Sequence, residues 1–215
     1  MAKKTLILDI DETLVSTQDY FIHDEIYTNP ELFRKYHPRG KKQICYSINF
    51  VNENYPVKLW GVIRPGTEEF LHFAQNYFEN IIVWSAGVKP YVELICKELF
   101  SSPGLYMPKV IWSRDNCILE KGFYHKPIAN LIESYQDSHL DIDIRKTLIL
   151  DDRKYTFYRN PTNGIQIPMF KPENNLTHLC DRSDNNLSKF MNWLKKPEIL
   201  NTEDFRLVDK TRIFI

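Results

Sequence analysis

Four short apolar runs, each closing on polar residues, constrain this chain more than any other feature. Residues 5–9, 81–85, 109–113 and 147–151 are rich in Leu, Ile, Val and Trp, and a weaker fifth run covers 164–168. Continuous apolar runs, as opposed to strict alternation, suit parallel strands covered on both faces. Between them, residues 68–78, 90–100, 127–135 and 186–194 carry apolar side chains at helical spacing. Phe70, Leu71, Phe73, Ala74 and Phe78 fall near one face, as do Val92, Ile95, Cys96 and Leu99, with Pro90 suited to a first turn. Strand–helix alternation of this kind builds right-handed βαβ units. The expected fold is α/β, a doubly wound parallel sheet.

Residues 16–63 break that rhythm. They are rich in aromatics and turn formers, and the order 43–50, then Asn52-Glu53-Asn54-Tyr55-Pro56, then 57–63 reads as a β-hairpin. This segment is expected to be an insertion after the first strand, in a single domain spanning 1–215. Its basic stretch, Arg34, Lys35, Arg39, Lys41 and Lys42, is either a solvated loop or a greeting surface for a phosphorylated partner. Tyr46, Phe50 and Trp60 either pack the hairpin core or line an apolar substrate pocket.

The chemistry gathers where the strands end. The first ends in Asp9-Ile10-Asp11-Glu12-Thr13, the second in Trp84-Ser85-Ala86-Gly87, the third in Ser113-Arg114-Asp115 and the fourth in Asp151-Asp152-Arg153. In open parallel sheets, ligands bind beyond the carboxyl ends of the strands. Two carboxylates of the first strand facing two of the fourth would repel one another unless a cation sat among them. Hard oxygen ligands in a partly hydrated site favour Mg²⁺ over softer metals.

Bulk properties narrow the partners. Lys+Arg and Asp+Glu both number 28, so no global field draws nucleic acid or an anionic membrane, and an anionic substrate must be attracted locally. Cys45, Cys96, Cys117 and Cys180 lie far apart without a C-x-x-C pair, which argues against a zinc site or a disulfide framework. No run approaches the ~18 apolar residues of a membrane span. A cleavable leader would remove the first motif itself. The expected location is therefore cytoplasmic or nuclear, not secreted. No oligomeric state is read from the sequence.

Asp-x-Asp-x-Thr after the first strand, Ser after the second, a later Lys and Asp-Asp after the fourth resemble the haloacid dehalogenase superfamily of phosphotransferases. Within it, Asp9-Ile10-Asp11-Glu12-Thr13-Leu14-Val15 is similar to the opening motif of the RNA polymerase II carboxy-terminal-domain phosphatases. Matching segments follow in order: Arg64-Pro65 before Phe70-Leu71, Trp84-Ser85-Ala86 with Tyr91, Arg114 with Cys117, Gly122, Tyr124 and Lys126, then Leu148-Ile149-Leu150-Asp151-Asp152. The resemblance implies a Mg²⁺-dependent phosphatase in which Asp9 attacks phosphorus and forms an aspartyl-phosphate. It implies that Asp11 protonates the leaving oxygen and then deprotonates water. Asp9, Asp11 through its backbone carbonyl, and Asp152 would be the metal ligands, with Asp151 holding Lys126. Thr13, Ser85, Lys126 and Arg114 would meet the equatorial phosphate oxygens.

The implied substrate is phosphoserine or phosphothreonine of a protein such as the polymerase tail. Nucleic acid is not the expected partner. Hydrolysis of nucleic-acid ends or small metabolites nevertheless stays open, because the same four strand ends would serve it. A non-catalytic binding module is the alternative from another class, disfavoured by retention of the clustered carboxylates. For Ser85 and Arg114 plainer roles also stay open: Ser85 as a cap for the helix near Lys89, and Arg114 as an ion-pair partner of Asp115 or Glu120.

Overall fold

The computed structural model describes residues 3–18, 45–136, 138, 140–173, 178 and 181–215. The basic stretch at 34–42, the first residues of the expected hairpin (43–44) and Cys180 lie outside them. Along the chain come β1 (Thr5–Leu8), β2 (Val15–Gln18), β3 (Cys45–Asn52), β4 (Tyr55–Ile63), α1 (Thr67–Tyr77), β5 (Asn80–Trp84) and α2 (Lys89–Leu99). There follow β6 (Val110–Trp112), β7 (Ile118–Glu120), β8 (Phe123–His125), α3 (Ile128–Tyr135), β9 (Thr147–Asp151), β10 (Gly164–Gln166), α4 (Asn186–Leu194) and the short α5 (Pro197–Leu200).

Five strands form one parallel sheet in the order β10-β9-β1-β5-β6. The side chains of each strand alternate between two apolar layers, as strand geometry requires. Leu6, Leu8, Ile81, Val83, Leu148 and Leu150 join the layer that also holds Phe70, Val92 and Phe190, from α1, α2 and α4. Ile7, Ile82, Trp84 and Ile149 join the opposite layer with Ile128 and Leu131 of α3. Helices thus cover both faces, which is why these strands read as unbroken apolar runs.

β1 is central. The chain builds β5 and β6 on one side of it and then returns to lay β9 and β10 on the other. Such a reversal of strand order opens a crevice at the carboxyl ends of the strands flanking it, here β1 and β9.

The insertion after β1 holds more than the expected hairpin. β3 and β4 pair from Cys45↔Val62 to Asn52↔Tyr55, and β2 adds a third strand on β4. Glu53 and Asn54 turn the hairpin with φ of 48° and 71°, the paired left-handed geometry of a two-residue turn. Tyr46 and Trp60 are buried side chains of the core. A second hairpin, β7–β8, turns through Lys121 and Gly122 in the same way, with φ of 52° and 82°.

Near the C-terminus, Phe205 and Ile213 reach the main core, and Trp193 Nε1 donates to the Asp209 carbonyl at 3.2 Å. Among the described residues no helix is long and apolar enough to cross a membrane.

Arg64, fully buried, ties distant parts of the chain together. It donates through Nη1 to the Thr13 carbonyl (3.0 Å), through Nη2 to the Pro168 carbonyl (2.7 Å), and through Nε and Nη2 to both Asp184 oxygens (2.9 Å each). Removing Asp184 would strand a buried guanidinium. Asp184→Ala is therefore expected to cost about 3 kcal/mol, the low end for a broken buried pair because Asp184 is partly exposed. Urea unfolding monitored by fluorescence measures this directly.

Candidate active site

Strand pairing creates the site. Thr5-Leu6-Ile7-Leu8-Asp9 and Thr147-Leu148-Ile149-Leu150-Asp151 are the same pentapeptide, and the structure pairs them in register, Thr5↔Thr147 through Leu8↔Leu150. The Asp9 N–H extends the ladder by donating to the Leu150 carbonyl at 3.0 Å. Two carboxylates consequently stand side by side at the end of adjacent strands, with strand spacing of only about 4.8 Å. Asp152 follows directly. Ligand oxygens of Asp9, Asp151 and Asp152, all buried, lie within 4.8 Å of one another.

Lys126 comes from the junction of β8 and α3 and is fully buried among them. Its Nζ donates to Asp9 Oδ1 at 2.6 Å and to Asp151 Oδ2 at 2.7 Å. Burial pulls the ammonium pKa down, yet Asp151 and Asp9 outweigh it and hold Lys126 above the ordinary lysine value. Burial and then the Asp151 carboxylate push Asp9 well up, against the pull of Lys126. Asp151 is fully engaged: its other oxygen accepts the Arg153 N–H at 2.9 Å.

Asp152 differs. Its Oδ2 is buried and has no hydrogen-bond partner among the described residues; the half-exposed Arg153 Nε stands 3.5 Å away. Burial first and then Asp151 push its carboxyl up to about 6. An unsatisfied buried carboxylate oxygen, facing two more carboxylates with a single buried ammonium, suits a hard divalent cation. Asp9, Asp151 and Asp152 are the side chains placed to hold it, with Asp151 already bonded to Lys126 and to the Arg153 N–H. The three-carboxylate group contains Asp151 and not the Asp11 side chain.

The other expected residues fall around this group. Asp11 lines the same cleft, and its Oδ1 accepts from the Tyr91 hydroxyl; burial raises its carboxyl while that bond lowers it. Ser85 also lines the cleft. Its Oγ accepts the Gly87 N–H at 3.0 Å, which leaves the hydroxyl hydrogen free to donate. It caps no helix, since α2 starts after Val88.

Arg114 lies on the rim, its Nε donating to the Ala86 carbonyl at 2.8 Å and its guanidinium 5.3 Å from the Tyr124 ring centroid. Glu120, one of its expected partners, pairs instead with Arg159 at 2.8 Å.

Thr13 needs a correction. It is fully buried behind the acidic group and lines no part of the cleft, and its hydroxyl accepts the Asp152 N–H at 3.1 Å. It is placed to fix the Asp152 backbone, not to touch a phosphate.

The cleft holds about 480 Å³, and Phe123, Tyr124 and Tyr155 form an aromatic side of it. Motif reasoning missed Phe123 and Tyr155, although the Lys121-Gly122 turn between two short β-prone runs was a visible hairpin signal. A second cleft of about 340 Å³ shares Asp11, Gly87 and Arg114 with the first, and is walled by Phe50, Leu59 and Val88.

Compared with known proteins, residues 4–206 match the family model described as NLI interacting factor-like phosphatase. The chain is 26% identical over 193 residues to the CTD nuclear envelope phosphatase 1 homolog of Caenorhabditis elegans, covering 90% of this chain and 67% of that protein. It is 27% identical over 210 residues to the probable C-terminal domain small phosphatase of Dictyostelium discoideum, covering 97% of this chain and 55% of that one. The solved structure of Fcp1, an essential RNA polymerase II CTD phosphatase, superposes with a TM-score of 0.62 at 20% identity, over 97% of this chain and 59% of that chain. The last likeness shows the fold: a haloacid dehalogenase-like α/β sheet with an antiparallel insertion. This chain spans little more than half to two thirds of the length of these proteins.

Ligands that bind only the native state stabilise it by mass action. Mg²⁺ at about a hundredfold excess over its Kd should raise the Tm by about 5–10 °C, and Asp152→Asn should abolish the shift in a thermal melt. Asp152 has a higher pKa folded than unfolded, so protonation favours the native state at acid pH and competes with the cation for the same oxygens. The Mg²⁺-induced shift should accordingly be full above pH 6 and fade as pH falls through about 6.

Proposed function

This chain belongs to the NLI interacting factor-like phosphatase family, and on that premise we propose that it is a Mg²⁺-dependent phosphatase acting through an aspartyl-phosphate on Asp9. One observation carries the reading: Asp9, Asp151 and Asp152 gather around Lys126 at the floor of an open cleft, at the reversal of strand order. In this reading residues 1–215 form one phosphatase domain, and 16–63 an insertion within it.

Lys126 and the native packing hold Asp9 in place as the nucleophile. Its carboxylate oxygen bonds to phosphorus while the ester P–O bond breaks. Asp11, on the same loop, gives its proton to the departing oxygen and later takes one from the water that hydrolyses the Asp9 ester. Two neighbouring carboxylates can divide these tasks when their environments differ. That fits here, because Asp9 faces an ammonium and Asp11 a neutral hydroxyl.

Ser85 and Arg114 suit the equatorial oxygens from the cleft wall and rim. Thr13 and Asp151 act as positioning residues, the first for Asp152 and the second for Lys126. Asp9, the Asp11 backbone carbonyl and Asp152 would hold Mg²⁺, which when bound would supply the positive charge that eases the approach of an anionic nucleophile to an anionic phosphate.

The substrate class we propose is phosphoserine or phosphothreonine in an extended peptide. The supporting feature is the second cleft, which continues from Asp11 and Arg114 into an apolar wall of Phe50, Leu59 and Val88. A residue next to the phosphorylated one could lodge there. Cys96 and Cys117 are free thiols, which fits a reducing compartment, cytoplasm or nucleus.

Asp9→Asn should keep the wild-type fold by circular dichroism and lose Mg²⁺-dependent release of nitrophenolate from p-nitrophenyl phosphate to background. Robust turnover by that variant would eliminate Asp9 as nucleophile. Phosphate release should be faster from phosphoserine peptides than from phosphorylated oligonucleotides or sugar phosphates, and the reverse order would replace the peptide reading.

A further inference from the structure

Behind Asp11 lies a chain of three hydroxyls that the reaction outlined above does not use. Tyr91 of α2 donates to Asp11 Oδ1; its hydroxyl is 2.6 Å from Thr17 Oγ1 of β2; and Thr17 Oγ1 is 2.6 Å from the Tyr46 hydroxyl of β3. Tyr46 and Tyr91 are buried. Two glycines make room for them. A Cβ at Gly61 would stand 2.4 Å from the Tyr46 hydroxyl oxygen, and one at Gly87 would stand 2.7 Å from the Tyr91 ring. Real Cβ atoms do not come that close to their neighbours, so neither ring could keep its position beside a larger residue.

The direction of the chain follows from counting hydrogens. Each hydroxyl has a single hydrogen to donate. Tyr91 spends its hydrogen on the Asp11 carboxylate, so Thr17 is left to donate to Tyr91 or to the Asp11 carboxyl beside it, and in either case Tyr46 donates to Thr17. A chain of this kind polarises along its length and strengthens its terminal bond.

We propose that Tyr46 and Thr17 are positioning residues for the acid–base step: acting through Tyr91, they hold its hydrogen on Asp11 Oδ1 and leave Oδ2 to carry the transferable proton. The inference rests on the reading of Asp11 as general acid and base. In the first half-reaction the Oδ2 proton passes to the ester oxygen as its bond to phosphorus breaks and the Asp9 oxygen–phosphorus bond forms. In the second, water gives a proton to Oδ2 as its oxygen bonds to phosphorus and Asp9 is released. Tyr46 and Thr17 stand on the antiparallel insertion, so that element would tune the chemistry as well as wall the cleft.

The test compares kcat/KM for phenyl phosphate and p-nitrophenyl phosphate, two esters of similar size that differ in their need for a proton on the leaving oxygen. Tyr46→Phe and Thr17→Val should each lower kcat/KM for phenyl phosphate about 10-fold more than for p-nitrophenyl phosphate, part of the 10²–10⁴ that a general acid provides. Thr17→Ser should restore the ratio. Equal losses on both esters, or none, would overturn the proposal and leave the hydroxyls a packing role. An Asp11→Asn variant with no leaving-group dependence would instead overturn Asp11 as the acid. Wild-type protein inert toward both esters with Mg²⁺ would overturn the phosphatase reading and the chain's role with it.

Discussion

One buried ammonium makes this arrangement possible. Two copies of the same five residues, paired in register, force Asp9 and Asp151 together at the end of neighbouring strands, where burial leaves little water to screen them. Lys126 answers by bridging both carboxylates with one nitrogen. Its backbone is pinned as firmly as its side chain. The Lys126 N–H donates to the Thr156 carbonyl at 2.6 Å, and its carbonyl accepts from Asn160 Nδ2 at 3.0 Å. The segment after β9 therefore fixes the residue that β9 needs. A single ammonium cannot also serve Asp152, whose Oδ2 has no hydrogen-bond partner among the described residues, and that remainder suits the group to a divalent cation.

The loop between Asp9 and Val15 carries the other demand on the fold. Glu12 takes a φ of 57°, uncommon for a side-chain-bearing residue and worth about 1 kcal/mol or more of strain. It is held there by its N–H donating to the Val15 carbonyl and by Phe170 N–H donating to its own carbonyl, both at 2.7 Å. Arg64 grips the same loop at the Thr13 carbonyl. Asp9 and Asp11 thus sit on a turn whose shape is set from three directions, the rigidity that the proposed chemistry needs when an ångström of slack is costly.

Much of this was legible in the residues because the physics was local. Unbroken apolar runs announced the parallel strands, and the polar triplets after them marked where a ligand must sit. The edges of the first four runs moved by at most a residue: Ser85 and Ser113 lie just beyond β5 and β6. Where the outcome depended on tertiary approach, the sequence was silent. Val15-Ser16-Thr17-Gln18 is too short and polar to read as a strand, yet it pairs with β4 and so turns a hairpin into a three-stranded sheet. Thr13 looked like a phosphate ligand by its place in the motif, but the return of β9 seals it off. Tyr91 stood out only as part of a resemblance. Its bond to Asp11, and the bonds of Thr17 and Tyr46 behind it, join four elements that no spacing rule connects. His125, next to Lys126, has its Nδ1 within hydrogen-bond distance of the Tyr155 carbonyl, at 2.7 Å.

The central place of β1 also governs how the molecule is assembled. Its partner on one flank, β5, follows at Asn80, but the partner on the other flank, β9, arrives only at Thr147. A chain emerging in order must hold an apolar strand with a bare edge while more than half its length is made. Unpaired edges of this kind recruit other strands, and pairing across such a separation is slow because of the loop that must close. The strand that completes the acidic group is thus also the one that shields the nascent protein from self-association.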